Sequence, residues 1–137
     1  VDSKIKVEGL AQLQKALRRI DSEAPKGLRL VGNQAADLLI DKTRPLIPSV
    51  TGAARSSLRA QSTRTSAKVA VGGRKAGYYP WLDFGGEGRV RGRPAHREFI
   101  KEGRYLYPTL ARESGAIEKI LQTGIVLVAQ NAGLDVT

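Results

Sequence analysis

EAPKGLRLVGNQAADLLIDKTRP, residues 23–45, decides the reading of the fold. Within it Leu28, Val31, Ala35 and Leu38 recur at spacings of 3, 4 and 3, which places them on one face of a helix. Ser22 stands where its hydroxyl can cap the first amides, Glu23 suits the positive helix end, and Pro25 is tolerated in a first turn whose amides have no partners. Pro45 stops the run, because its ring clashes with the preceding turn. The stretch predicts a helix over 23–43 with one buried stripe.

Upstream, Lys4-Ile-Lys-Val7 alternates polar and apolar residues and predicts a short strand, while Leu10, Leu13, Leu17 and Ile20 predict an amphipathic first helix. Downstream, Pro45, Pro48 and Gly52 mark a turn region. Residues 57–65 and 68–71 then read as a β-hairpin around a Thr65-Ser66 corner. Residues 78–84 hold four of the chain's seven aromatic side chains and predict a segment packed on the core. From Gly85 the chain is rich in glycine and arginine with no periodicity to about residue 104, and it reads as an extended arm or loop. Pro108 opens a last helix with Leu110, Ile117, Leu121, Gly124 and Val128 on one face; the β-branched run 124–129 leaves a strand open there. Together these predict one α+β domain over 1–137, with a small antiparallel sheet packed against the long helix and the carboxy-terminal helix.

At 137 residues the chain can bury roughly two thirds of its unfolded surface, enough for a core without staples. It has no Cys and one His, which excludes disulfides, thiolate chemistry and the usual zinc sites. No apolar run reaches the roughly 20 residues of a membrane span, and the first residues lack a signal peptide's apolar core, so the expectation is a soluble, intracellular protein. The charge is unevenly placed. Lys42, Arg44, Arg55, Arg59, Arg64, Lys68, Arg74 and Lys75 lie in a block without one acid, so 42–82 carries +8 and the segments on either side +1 each. Such a block forms a positive face for a polyanion or an acidic protein.

Candidate chemistry is sparse. His96 is a conceivable general base oriented by Glu98 or Asp83, although a lone His on a polar arm is more often a solvated side chain. Asp37 and Asp41 stand at i and i+4, a spacing for paired metal ligands that equally describes a solvated helix face. Gly72-Gly-Arg-Lys-Ala-Gly77 lacks the Ser or Thr of a phosphate-binding loop. The expectation is therefore no enzyme, no metal and no cofactor. For nucleic acid, Arg59, Gln61, Thr63 and Thr65 alternate onto one strand face, with Arg55, Arg64, Lys68, Arg74 and Lys75 extending the charge; phosphates need charge and little sequence readout. The face lacks the interleaved aromatics of a single-strand reader, and a solvated hairpin accounts for the same pattern. Arg89, Arg91, Arg93 and Arg97, partly offset by Glu87, Glu98 and Glu102, suit a subunit contact as well as a phosphate.

The order of the punctuation carries a further implication. Pro48-x-x-Thr51-Gly52-x-x-Arg55-x-Ser57-Leu58 follows the helix, then come Tyr78-Tyr79-Pro-Trp81-Leu-Asp83-Phe84-Gly85 and Tyr105-Leu106-x-Pro108. This succession resembles a family of small tail-completion, or neck, proteins of long-tailed, non-contractile bacteriophages. Asp83 stands where that family more often has Glu, Gly86 where Thr is common, and Arg104-Tyr105 where it has Pro-Phe. The resemblance implies a structural virion protein at the head–tail interface, as neck, tail-completion or tail-terminator subunit. It also implies a ring, a hexamer in the family, around the DNA channel, contacting other neck and tail proteins after assembly in the host cytoplasm. The residues give the motif a physical reason: Gly52 permits a turn, Thr51 caps the amides that follow, Arg55 is displayed beside the strand entrance, and Asp83 pairs with an arginine of this chain or of a neighbour. Under the resemblance the basic hairpin faces the DNA or an acidic ring, and the arm reaches a neighbouring subunit, ordering on assembly. The alternative is a free-standing nucleic-acid-binding domain using 42–82.

Overall fold

A computed structural model describes residues 2–5, 9–20, 24–48, 52–73, 76–90 and 92–133. The fold is α+β. Strand β1 (Asp2–Ile5) leads to helices α1 (Leu10–Ile20) and α2 (Ala24–Thr43), a 3-10 turn at Arg44–Leu46 and a single-turn helix α3 (Ala53–Ser56). Strands β2 (Arg59–Ala60) and β3 (Ala67–Ala70) follow, then a short helix α4 (Tyr79–Phe84), strands β4 (Gly86–Val90) and β5 (Arg93–Arg97), and the long α5 (Leu106–Asn131). Among the described residues, no helix is long and apolar enough to cross a membrane.

The first sheet is antiparallel in the order β1-β3-β2, with Asp2 opposite Ala70 and Ile5 opposite Ala67 on one side of β3, and Arg59 opposite Ala70 on the other. Thus the predicted hairpin is present and shorter than its sequence pattern, and a third strand flanks it. Its ladder runs on past β2, since the Gln61 amide donates to the Lys68 carbonyl and the Thr63 amide to that of Ser66, both at 2.9 Å. The amino-terminal strand is seen at Asp2–Ile5, while Lys6 and Val7 of the alternation at 4–7 lie outside the described residues. Ser22 and Glu23, the expected caps of α2, lie outside the described residues, as do Thr51, Arg74, Lys75 and Arg91.

Helix α2 is the centre of the molecule, and this explains why more of it is buried than the single predicted stripe. Ala36, Leu39 and Ile40 join Leu28, Val31 and Ala35 in the core, while Leu38 stays half-buried at its edge. One side of α2 meets β3 and the other meets α5, so its apolar arc must serve two neighbours. The contact with α5 is close: a Cβ on Gly124 would lie 2.5 Å from Cγ1 of Val31, and one on Gly27 would lie 3.0 Å from Cγ2 of Val128. Each helix contributes a glycine where the other presents a valine. That is why 124–129 stays helical despite its β-branched composition: tertiary packing outweighs a propensity difference of a few tenths of a kcal/mol per residue. A smaller cluster of Leu10, Leu17 and Leu28 packs α1 onto α2, with Ile125, Val128 and Ala132 closing it from the carboxy-terminal side.

The largest departure from the sequence reading is the arm. Residues 86–97 are a β-hairpin, registered from Gly86 opposite Arg97 to Val90 opposite Arg93. Gly-Glu-Gly-Arg-Val and Arg-Pro-Ala-His-Arg show no apolar alternation because this ladder is not a face of the main core. Pro94 is accommodated because both strands of a two-stranded sheet are edges.

Candidate functional site

Helix α4 turns the aromatic segment inward. Tyr79 and Asp83, one turn apart, are both fully buried. The Tyr79 hydroxyl donates to Oδ2 of Asp83 at 2.7 Å, while Oδ1 accepts the backbone amides of Arg104 at 2.6 Å and Tyr105 at 2.9 Å. Within the chain the partner of Asp83 is therefore a set of neutral donors at the entrance to α5, and the expected pairing with an arginine of the same chain is corrected: the Arg104 guanidinium instead donates to the backbone carbonyls of Asp83, at 3.0 Å, and Glu98. Burial, and then the hydrogen bond and charge of Asp83, push the Tyr79 phenol well above its usual range. Gly103 permits this closure, with φ of 79° and a Cβ position only 2.7 Å from Oδ1 of Asp83. Phe84, half-buried, has its ring 6.1 Å from that of Tyr107 in the first turn of α5, next to Pro108.

The same segment fastens the hairpin. Trp81 donates from Nε1 to the Gly86 carbonyl at 3.0 Å, and its ring lies against Gly88. The Gly85 amide donates to the Trp81 carbonyl at 2.8 Å, and the Ile100 amide returns the chain to Phe84 at 2.7 Å. Arg97 places its guanidinium 5.8 Å from the Trp81 ring centroid and donates to the Tyr105 hydroxyl at 2.7 Å. So Arg97, expected on a subunit-contact arm, is a clasp within the chain. Arg89 bonds the Gly92 carbonyl at 3.1 Å across the turn and is exposed, as is Arg93. His96 pairs with Glu87 directly across the ladder at 2.5 Å, both side chains largely in solvent. The expected partners Glu98 and Asp83 are replaced by Glu87, and both carboxylate oxygens of Asp83 are engaged elsewhere.

Several cations of the acid-free block also serve the backbone. Gly52, at φ 82°, takes the left-handed backbone expected of a glycine in the turn region, and the helical turn α3 that follows it is not part of the sequence reading. Arg55 then folds back, its Nε donating to the Ile47 carbonyl at 2.6 Å, and Arg44 reaches the carbonyls of Arg55 and Leu58. Ser57 accepts the Gly72 amide at 3.0 Å, and Arg59 donates to the carbonyls of Ser57 and Gly72. Arg55 is thus half-buried against its own turn, where the sequence pattern places it on display. Pro48 is exposed just before this turn.

Two concave surfaces are formed among the described residues. The first, an open concavity of about 570 Å³, is lined by Arg29 of α2 together with Ala60, Gln61, Ser62, Thr63, Arg64 and Thr65. The buried Ser62 forms its floor: its amide donates to Oδ1 of Asn33 at 3.1 Å, and its Oγ accepts the Lys68 amide at 3.0 Å. Asn33 follows Arg29 by one helical turn, so this bond places Arg29 beside Arg64. Arg29 was not legible as part of the basic face, because it precedes the block in sequence and reaches it through the docking of α2. The second is an apolar groove of about 550 Å³ between α2 and α5, lined by Leu38, Ile120, Gly124 and Leu127 among others. Leu127 is 56% exposed there. Among the described residues, no group of three or more His, Asp or Glu side chains is arranged to hold a metal ion. No protein-family model, curated protein or solved structure matches the chain.

Proposed function

We propose that the chain is a structural virion protein of the head–tail interface of a long-tailed, non-contractile bacteriophage, acting as a neck, tail-completion or tail-terminator subunit in a ring around the DNA passage. The observation that carries this reading is a pair of different, complementary surfaces on one domain. Beside β5, Phe99 is 66% exposed, and the hairpin presents Arg89 and Arg93. The α2–α5 groove is largely apolar, with Lys119 as the charged residue among its described lining, and Leu127 is 56% exposed in it. An exposed aromatic fits an exposed apolar groove, and a contact between two unlike patches of identical subunits propagates head to tail and closes into a ring when the rotation permits. Under this reading the hairpin is already folded in the free subunit and docks as a rigid element.

The experiment for the function is electron microscopy of lysates from the parent phage lacking this gene: separated DNA-filled heads and tails, or tails with faulty ends, support it, and normal virions overturn it. The geometry is tested by mass photometry of Phe99→Gln and Leu127→Gln chains. Each variant alone loses the ring, and an equimolar mixture, which retains one intact contact, stops at dimers. Full rings from either variant reject the contact. A second reading, a free-standing nucleic-acid-binding domain, draws on the concavity that holds Arg29 and Arg64; normal virions from the deletion would favour it.

A further inference from the structure

We propose that the concavity between α2 and the β2–β3 turn is a phosphate-binding notch for the backbone of double-stranded DNA, gripped by Arg29 and Arg64. The inference rests on the reading that the basic end of the sheet meets a polyanion, and it is independent of ring closure. Both guanidiniums border the same open space, and among the described residues neither has an ion-pair or hydrogen-bond partner. This separates them from Arg44, Arg55, Arg59 and Arg97, whose guanidiniums bond groups of their own chain.

The remaining lining is the chemistry of phosphate recognition. Gln61, Ser62, Thr63 and Thr65 bring an amide and three hydroxyls, and no acidic residue is among the described residues that line the space. A planar guanidinium fork matches two phosphate oxygens, and hydroxyl and amide donors make the usual accompanying contacts to a nucleic-acid backbone. Among the described residues the wall carries no aromatic side chain and so no platform for unstacked bases, which favours a duplex over a single strand. Ala60 is the one apolar residue among the described lining residues, whereas a protein interface has an apolar centre to desolvate; an acidic protein is thus the poorer fit. The notch is also braced. The bond from the Ser62 amide to Asn33 ties the turn bearing Arg64 to the helix bearing Arg29, fixing the spacing of the two clamps before a ligand arrives.

Binding through this notch is independent of base sequence and steep in salt, since each neutralised phosphate releases counterions. The test is fluorescence anisotropy of a labelled mixed-sequence duplex with the purified full chain between about 50 and 200 mM salt. Arg29→Ala and Arg64→Ala should each reduce the slope of log affinity against log salt by about one, and the double variant by about two. Arg19→Ala, an exposed α1 cation outside the notch, is the control for general charge loss. Arg29→Lys should keep the slope yet bind more weakly, because an ammonium lacks the fork. Slopes for Arg29→Ala and Arg64→Ala that match the Arg19→Ala control overturn the proposal. So does displacement of the duplex by poly-glutamate at equal charge concentration, which would assign the notch to an acidic protein. Repeating the series in the Leu127→Gln chain separates this site from the ring: a lost ring with retained slope changes leaves the notch standing, and slope changes that vanish together with the ring remove it.

Discussion

The carboxylate of Asp83, buried at the end of α4, accepts the backbone amide of Tyr105, 22 residues later, at 2.9 Å. Together with the Arg104 amide on the same oxygen, this bond holds the two ends of the 85–104 excursion, so a single side chain decides where α5 begins. The acid-aromatic-glycine group and the later Tyr-Leu-x-Pro run, separated in sequence, meet at this point. Their role is to fasten the hairpin and the last helix to each other.

Asp83→Ala leaves two amides and the Tyr79 hydroxyl without their acceptor in a dry site, and each such loss costs about 1–3 kcal/mol. A total loss of roughly 3–5 kcal/mol follows, large against the stability of a domain this size. Asp83→Asn keeps an oxygen for the amides and should be markedly milder. Urea unfolding of both variants checks the order; an alanine variant as stable as the asparagine one would deny the amides their dependence on this carboxyl.

Tyr79 makes the protein sensitive to alkali. Its phenol is raised in the folded state by burial and by Asp83, so above the ordinary phenol range, near pH 10, the unfolded chain loses a proton that the native state keeps. Stability is fully present below that value and falls as pH rises through it, by up to about 1.4 kcal/mol per pH unit. Thermal melts from pH 8 to 11 should show a decline that is shallower in Tyr79→Phe, although that variant starts less stable for want of the hydroxyl. Parallel pH profiles for the two chains would contradict this account.

The α2–α5 crossing depends on Gly124 lying against Val31. Gly124→Ala puts a methyl 2.5 Å from Cγ1 of Val31 and should cost about 1–3 kcal/mol through displaced packing, outweighing alanine's better helix propensity. Val31→Ala alone leaves a cavity and also destabilises. In the double variant each change relieves the other, so its loss should be smaller than the sum of the two; simple additivity would show that the backbones absorb the methyl without Val31.

Trp81, the only tryptophan, reports hairpin docking. Its indole is half-buried, bonds the Gly86 carbonyl and has the Arg97 guanidinium nearby. Arg97→Ala removes the stacking cation and the bond to Tyr105, which should shift Trp81 emission to the red and cost about 1–2 kcal/mol. Unchanged emission would mean that the hairpin holds without its clasp.

The amino-acid sequence by itself determined the helices around Leu28 and Ile117, the small central hairpin, and the concentration of positive charge between residues 42 and 82. Each is a local or compositional property: apolar spacing fixes a helical face, proline fixes an end, and charge can be counted without a fold. The second hairpin was hidden because Gly86–Val90 and Arg93–Arg97 lack an apolar face; they hold by backbone pairing and by Trp81, neither of which leaves a period in the sequence. Only the tertiary structure decided which cations turn inward and which stay open. Arg55 and Arg97 bond their own chain because carbonyl and hydroxyl acceptors from other segments lie within reach. Arg29 joins Arg64 because Asn33 ties α2 to the turn at Ser62. Periodicity states which face of an element is buried, but the partner across that face is chosen by docking, and the chemistry of a composite surface exists only after docking is complete.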